Sequence, residues 1–131
     1  MYMYKLTFLI LLLTISNCQS IISSDDPRLD EEFEIGFGEQ VSLDNGSLSI
    51  EFKEVVEDSR CPEGVACFWA GNALVALVLN DNETELNTYL EPQETKLSVY
   101  HVDLISLSPY PVYEQIIEKE DYVVKLLVAK E

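Results

Sequence analysis

The stretch D-S-R-C-P-E-G-V-A-C-F-W-A-G-N-A, from Asp58 to Ala73, holds two of the three cysteines of the chain and its only tryptophan. Cys61 and Cys67 are six positions apart. If the chain leaves the cytoplasm, disulfides persist, and a pair at this spacing closes a small loop in which Pro62 and Gly64 supply the turn. The stretch therefore predicts a disulfide-tied loop that stabilises the fold by about 2 kcal/mol.

Three other uses of the two cysteines fit the sequence less well. A zinc site needs more ligands, and His101 is the only histidine. A redox-active pair usually has two intervening residues, whereas this pair has five. A nucleophilic cysteine would need a free thiol with His101 nearby. A structural disulfide between Cys61 and Cys67 is therefore favoured, and we expect no metal, no cofactor and no catalytic residue.

Four side chains of the stretch have both a structural and a functional interpretation, namely Asp58, Arg60, Glu63 and Trp69. An arginine placed as Arg60 is beside Asp58 more often forms a local ion pair, or donates hydrogen bonds to loop carbonyls, than binds a ligand. A tryptophan at the head of a core strand is more often packing than recognition. A small tied loop that presents these residue types can also be a rigid recognition loop, because preorganisation lowers the entropic cost of binding.

Apolar and polar residues alternate in the segment before the stretch, which is the pattern of half-buried strands. The alternating apolar residues are Phe33, Ile35, Phe37, Val41, Leu43, Leu48, Ile50 and Phe52. Asn45 and Gly46 interrupt the series with residues that tolerate positive φ, which predicts a hairpin. Val55 and Val56 break the alternation and predict a bulge or a bend.

The segment after the stretch contains the best candidate for a central strand. Residues 73–79 are apolar at every position, as in a strand that is covered on both faces. A strand over 86–90, one bent or two short strands within 97–107, and a last strand over 122–128 follow. A single helical turn is expected between 112 and 121.

Seven or so short strands without a helix-length amphipathic segment predict an all-β fold. We expect an antiparallel β-sandwich, immunoglobulin-like or a similar Greek key, with a small barrel as the alternative. About 100 residues are enough for one domain, which we place at residues 33–131.

The start of the chain has the order of a secretory signal, with Lys5 before an apolar run over 6–15. This run has ten residues, and spanning a bilayer needs about twenty. The sequence that ends at Cys18, I-S-N-C, resembles the lipobox of bacterial lipoproteins, although Asn17 stands where Gly, Ala or Ser is usual. We predict a signal peptide at residues 1–17 and a lipid on Cys18 that anchors the protein in a membrane. An ordinary secretory signal with a free Cys18 is the alternative.

Residues 18–32 are rich in Ser and acidic residues and predict a flexible tether. Gln19, in place of Asp, gives no cue for inner-membrane retention, so the resemblance implies the outer membrane or the cell surface of a bacterial envelope. The chain has 24 acidic and 8 basic residues, and its formal net charge is −16. Such a charge repels phosphate backbones, which argues against nucleic acid as a partner.

The whole chain resembles a family of small uncharacterised bacterial lipoproteins. The resemblance is carried by D-S-R-C-P at 58–62, Cys67, W-A-G at 69–71, and the later L-S-P-Y-P at 107–111 and D-Y-V-V at 121–124. It implies an anchored, exported β-sandwich domain and no established activity.

The function that fits these features is a non-enzymatic binding or accessory module of the envelope, whose protein partner the sequence does not identify. The alternative is an inhibitor of a secreted or periplasmic protease, with Arg60 or the tied loop in the cleft of its target. An enzyme that uses Asp58, Glu63 or His101 fits less well, because acidic residues are common throughout the chain. A calcium ion in the acidic turn at Asp81 to Glu83 stays open.

Overall fold

The structure is a computed structural model that describes residues 26–131. The predicted signal peptide, Cys18 and the first part of the predicted tether lie outside the described residues. In the described part of the chain, no helix has the length and apolar character needed to cross a membrane.

Eight strands form two antiparallel four-stranded sheets, and the predicted β-sandwich is confirmed. The strands are β1 (Glu32–Gly36), β2 (Gln40–Leu43), β3 (Leu48–Asp58), β4 (Ala73–Leu79), β5 (Asn82–Asn87), β6 (Glu94–Leu97), β7 (Tyr100–Ser108) and β8 (Val123–Lys130). The first sheet has the order β1-β8-β7-β6, and the second has the order β2-β3-β4-β5.

The sandwich is not a closed barrel, because no ladder among the described strands joins β1 to β2 or β5 to β6. The strand order also differs from the expected immunoglobulin-like or Greek-key order. Within each sheet consecutive strands are neighbours, and only β1 pairs with a strand far away in the sequence, β8. Connections between neighbouring strands produce this up-and-down order, whereas a Greek key needs a connection that returns past two strands.

The core lies between the two sheets and is built from alternate residues of the strands. Its largest fully buried side chains are Phe52, Ile35, Leu43, Leu48, Ile50, Leu77, Leu86, Leu126, Val75, Val102, Val124 and Val128. Strand β4 is internal to its sheet and buried along most of its length, as its continuous apolar sequence predicts.

The turns and irregularities follow the sequence signals closely. The predicted hairpin joins β2 to β3 through a turn at Asp44–Gly46. The predicted bulge lies in β3, whose register against β4 shifts between Val55 and Glu57. The strand predicted over 86–90 begins and ends earlier, at Asn82–Asn87. The segment 97–107 forms the end of β6 and most of β7, and Lys119–Asp121 is a single 3₁₀ turn.

The alternating strand directions give the sandwich two different ends. We call residues 37–39, 59–72, 88–93 and 109–122 the loop end, because the longer connections meet there. The opposite end, which we call the turn end, has the short turns at 44–47, 80–81 and 98–99, and the chain enters β1 on this side. At the turn end the carboxylate of Asp44 accepts hydrogen bonds from Tyr100 at 2.6 Å and from Lys130 at 2.8 Å, which links the two sheets.

Candidate binding surface at the loop end

A buried ion pair organises the loop end. Arg60 is 7% exposed, and its guanidinium donates two hydrogen bonds to the Asp58 carboxylate, from Nε to Oδ1 at 2.8 Å and from Nη2 to Oδ2 at 2.6 Å. Such a two-point pair fixes both the distance and the orientation of the groups. The pair predicted from the sequence is therefore present, and it lies inside the loop end.

The same guanidinium joins the two sheets. Its Nη1 donates to the backbone carbonyl of Leu107 at 2.7 Å, and its Nη2 donates to that of Pro109 at 3.0 Å. Arg60 follows β3 of the second sheet, whereas Leu107 lies at the end of β7 in the first sheet and Pro109 comes directly after that strand. We call Asp58 and Arg60 with these two carbonyls the arginine clasp.

Tyr122 completes the environment of Asp58, since its hydroxyl donates to Oδ2 at 2.9 Å. Burial alone would raise the pKa of the Asp58 carboxyl, but the hydrogen bonds and charge of Arg60, with the Tyr122 hydroxyl, outweigh burial and hold this pKa below its ordinary value. Burial, followed by the bond to Asp58, raises the pKa of Tyr122. Asp58 is therefore an ionised partner of Arg60 and has no character of a general acid.

The disulfide loop is attached to the next connection by its backbone. Cys61 and Cys67 are bonded, with 6.0 Å between their Cα atoms. Glu63 donates its N–H to the carbonyl of Pro111 at 2.9 Å and accepts from the N–H of Tyr113 at 3.0 Å. The Glu63 side chain faces solvent. The disulfide loop and the 109–122 connection are therefore joined through their backbones.

Asn72 positions the third connection, 88–93. Its side-chain oxygen accepts from the N–H groups of Tyr89 at 3.1 Å and Leu90 at 3.2 Å, and its nitrogen donates to Asn87 at 2.7 Å. Asn72 and Asn87 are among the few buried polar residues of the described chain. This amide pair fixes the backbone on which Tyr89 stands.

Aromatic side chains are exposed on this rigid frame. We call Phe68, Trp69, Tyr89, Tyr110 and Tyr113 the aromatic set, and each of them is exposed to solvent. The Trp69 and Tyr89 rings meet edge to face, with 6.2 Å between their centroids. The Tyr110 ring covers the arginine clasp, with its centroid 5.2 Å from the Arg60 guanidinium carbon.

A shallow groove is lined by two members of the aromatic set, Tyr89 and Tyr110. It has a volume of about 210 Å³, and Arg60, Gly71 and Ile105 also line it. An open groove with rigid aromatic walls is suited to hold a flat or extended group by stacking and apolar contact.

The loop end is strongly acidic. Its four segments contain seven acidic residues, Glu39, Glu63, Glu91, Glu114, Glu118, Glu120 and Asp121, and two basic ones, Arg60 and Lys119. Because the charge of Arg60 is matched by Asp58, the loop end has a net negative charge, and we call its acidic residues the acidic rim.

The predicted site residues thus separate into two groups. Asp58 and Arg60 form the buried clasp, whereas Glu63 and Trp69 face solvent. Sequence reasoning missed Asn72 as a positioning residue, and it missed the contribution of Tyr89, Tyr110 and Tyr113 to the same surface. The P-Y-P segment was visible as a motif, but its proximity to Arg60 depends on a contact between residues 49 positions apart.

The structure also describes the residues considered for a nucleophilic cysteine and for a calcium site. The bonded sulfurs of Cys61 and Cys67 leave no free thiol in that pair for a nucleophile. In the turn considered for calcium, the Asn82 amide nitrogen donates to the carbonyls of Leu79 and Asn80, so it closes the turn.

In comparisons with known protein families, curated proteins and solved structures, none matches the chain. The resemblance to small bacterial lipoproteins stays a prediction.

Proposed function

We propose that the protein is an exported, lipid-anchored and non-enzymatic binding module of the bacterial envelope, and that its loop end binds a protein partner with a basic surface. The observation that carries this proposal is the aromatic set, which is exposed on a frame held by the arginine clasp, the disulfide and Asn72. Exposed aromatic side chains on rigid backbone are typical of binding surfaces, because little entropy is lost when they are covered.

The charge of the surface supports the choice of partner. The acidic rim attracts Lys and Arg side chains, which gain both charge pairing and contact with the faces of the aromatic rings. The same rim disfavours nucleic acids and acidic proteins. A basic protein segment is the partner class that benefits from both features.

The path of the chain supports the proposed orientation. The described residues enter β1 at the turn end, so a lipid on Cys18 would tether the domain from that side. The loop end would then face away from the membrane, where a partner can reach it.

The inhibitor hypothesis gains less support. Arg60 is buried with its guanidinium in four hydrogen bonds, so it would have to break the clasp before it could enter the cleft of a protease. Removing one partner of a buried ion pair costs about 3–5 kcal/mol. An inhibitor would therefore have to use another residue of the tied loop.

The test measures the binding of the purified full chain to a lysine- and arginine-rich peptide, with a glutamate-rich peptide of equal length as the control. The variant Trp69→Ala/Tyr110→Ala keeps the net charge, so it separates aromatic contact from general attraction to an acidic protein. We expect the variant to bind the basic peptide at least tenfold more weakly, while Val99→Ala at the turn end binds it normally. Equal binding by all three proteins would show that the peptide senses net charge alone and would contradict the proposal.

A further inference from the structure

Outside the loop end, three side chains of metal-ligand type converge on the outer face of the first sheet. Glu94 of β6 lies opposite Asp103 of β7 in the ladder, and His101 is two positions before Asp103 on the same strand. Alternate residues of a strand share a face, so these side chains stand side by side. Val102, between His101 and Asp103, is fully buried, so the face that they share is the solvent face.

The ligand atoms are close together. His101 Nε2 lies 3.4 Å from Glu94 Oε1, and His101 Nδ1 lies 3.8 Å from Asp103 Oδ1. One ligand atom from each of the three residues lies within 4.8 Å of the others. Zinc ligands at about 2.0–2.2 Å in a tetrahedron are about 3.4 Å from each other. His101 Nε2 and Glu94 Oε1 already have this separation. Asp103 lies nearer to Nδ1, the other nitrogen of the same ring, so the imidazole or the Asp103 side chain has to turn before all three bind one ion.

The charge of the cluster suits a divalent cation. Two carboxylates supply two negative charges, and the imidazole offers a nitrogen ligand, which suits transition metals better than magnesium or calcium. Lys96 lies opposite His101 in the ladder, but its ammonium is 2.6 Å from the Glu131 carboxylate. Lys96 is therefore paired with a carboxylate outside the cluster.

We infer that Glu94, His101 and Asp103 bind a divalent transition-metal ion, for which zinc is the representative probe. Three protein ligands on an open sheet face leave the remaining coordination positions to water or to a ligand from a partner. The inference does not depend on the proposed function, because the cluster is separate from the aromatic set. The sequence alone predicts no metal site, because the pairing of Glu94 with Asp103 depends on the register of β6 against β7.

In the experiment, zinc is titrated into the purified full chain, and the imidazole resonances of His101 are monitored in NMR spectra. His101 is the only histidine of the chain, so these resonances have a unique assignment. We expect them to shift and to saturate at one zinc per chain, while calcium at the same concentrations leaves them unchanged. Unmoved resonances at millimolar zinc would overturn the inference, and an equal response to calcium would overturn the assignment to a transition metal.

Ligand variants distinguish this site from general attraction to an acidic surface. Glu94→Gln and Asp103→Asn should each weaken zinc binding about tenfold or more, because each removes one of three ligands. Glu85→Gln is the matched control, since it removes one exposed carboxylate from the other sheet. If Glu94→Gln and Asp103→Asn weaken binding no more than Glu85→Gln does, the metal is not held by this cluster.

Discussion

At the scale of single residues, Arg60 shows how one side chain can fix an entire end of a domain. Its positive charge is neutralised by Asp58, and its remaining donors satisfy carbonyls of the opposite sheet. A buried guanidinium is tolerated only when charge and hydrogen bonds are both matched, and here they are. Its role is therefore structural, and it supports the surface that Tyr110 presents.

The first prediction concerns the removal of this side chain. Arg60→Ala leaves the Asp58 carboxylate without its main partner and frees two carbonyls, so we expect a loss of about 3–5 kcal/mol in the free energy of unfolding. Lys53→Ala is the control, because the pair between Lys53 and Glu83 is exposed and should contribute little to stability. Urea denaturation measures both values. Similar losses in the two variants would show that the clasp is not a main support of the fold.

The second prediction follows from the lowered pKa of Asp58. A carboxyl whose pKa is lower in the folded state stabilises the fold above its unfolded pKa, which is about 3.9, and loses this contribution as the pH falls through the folded value. The free energy of unfolding of the wild type should therefore fall more steeply below about pH 4 than that of Asp58→Asn. The pKa values of Asp44 and Glu131 are also lowered, so the free energy of unfolding of Asp58→Asn should still fall with pH, but less steeply. Parallel curves for the two proteins would contradict this account of Asp58.

At the scale of elements, the connection from β3 to β4 depends on a close approach of two backbone segments. Gly71 has a φ of +75°, and a Cβ atom added there would lie 2.0 Å from the carbonyl oxygen of Ser59. This distance is far below contact, and the atom that it meets is backbone. The position therefore requires glycine for two separate reasons, its left-handed conformation and its lack of a side chain.

The third prediction separates these two reasons. Gly38 has a φ of +73° with nothing within 4 Å of an added Cβ, so Gly38→Ala tests the conformation alone and should cost about 1–2 kcal/mol. Gly71→Ala should cost about 2 kcal/mol more than that, because the loop must also move away from Ser59. Thermal and urea unfolding give the two values. Equal costs would mean that the connection yields easily and does not hold the aromatic set in place.

The elements also show what the sequence could and could not predict. Local signals gave the hairpin at Asn45 and Gly46, the bulge near Val55, and the central strand at 73–79. These features depend on neighbours in the chain, so a single sequence contains them. The pairing of β1 with β8 and the contact of Arg60 with the end of β7 depend on contacts across the chain, and no local pattern encodes them. The sequence also does not predict the cluster of Glu94, His101 and Asp103, because the cluster depends on the register of β6 against β7.

At the scale of the whole molecule, the sandwich is secured at both ends by polar contacts between its sheets. Asp44 links Tyr100 and Lys130 at the turn end, and the arginine clasp links the sheets at the loop end. The two ends differ in what they expose. The turn end has short turns, whereas the loop end has the aromatic set and an acidic rim. This difference between the two ends agrees with the proposal that the domain is tethered from the turn end and binds its partner at the loop end.

The most direct test of this proposal places a photoreactive residue in the full chain at one end or the other. Position 68 at the loop end and position 99 at the turn end are both exposed apolar sites, so they form a matched pair. Cross-linking in intact envelopes of the producing cell should join the position 68 protein to a defined basic partner, while position 99 should give no such product. Cross-linking of the same partner from both positions, or from position 99 alone, would contradict the claim that the loop end is the binding surface.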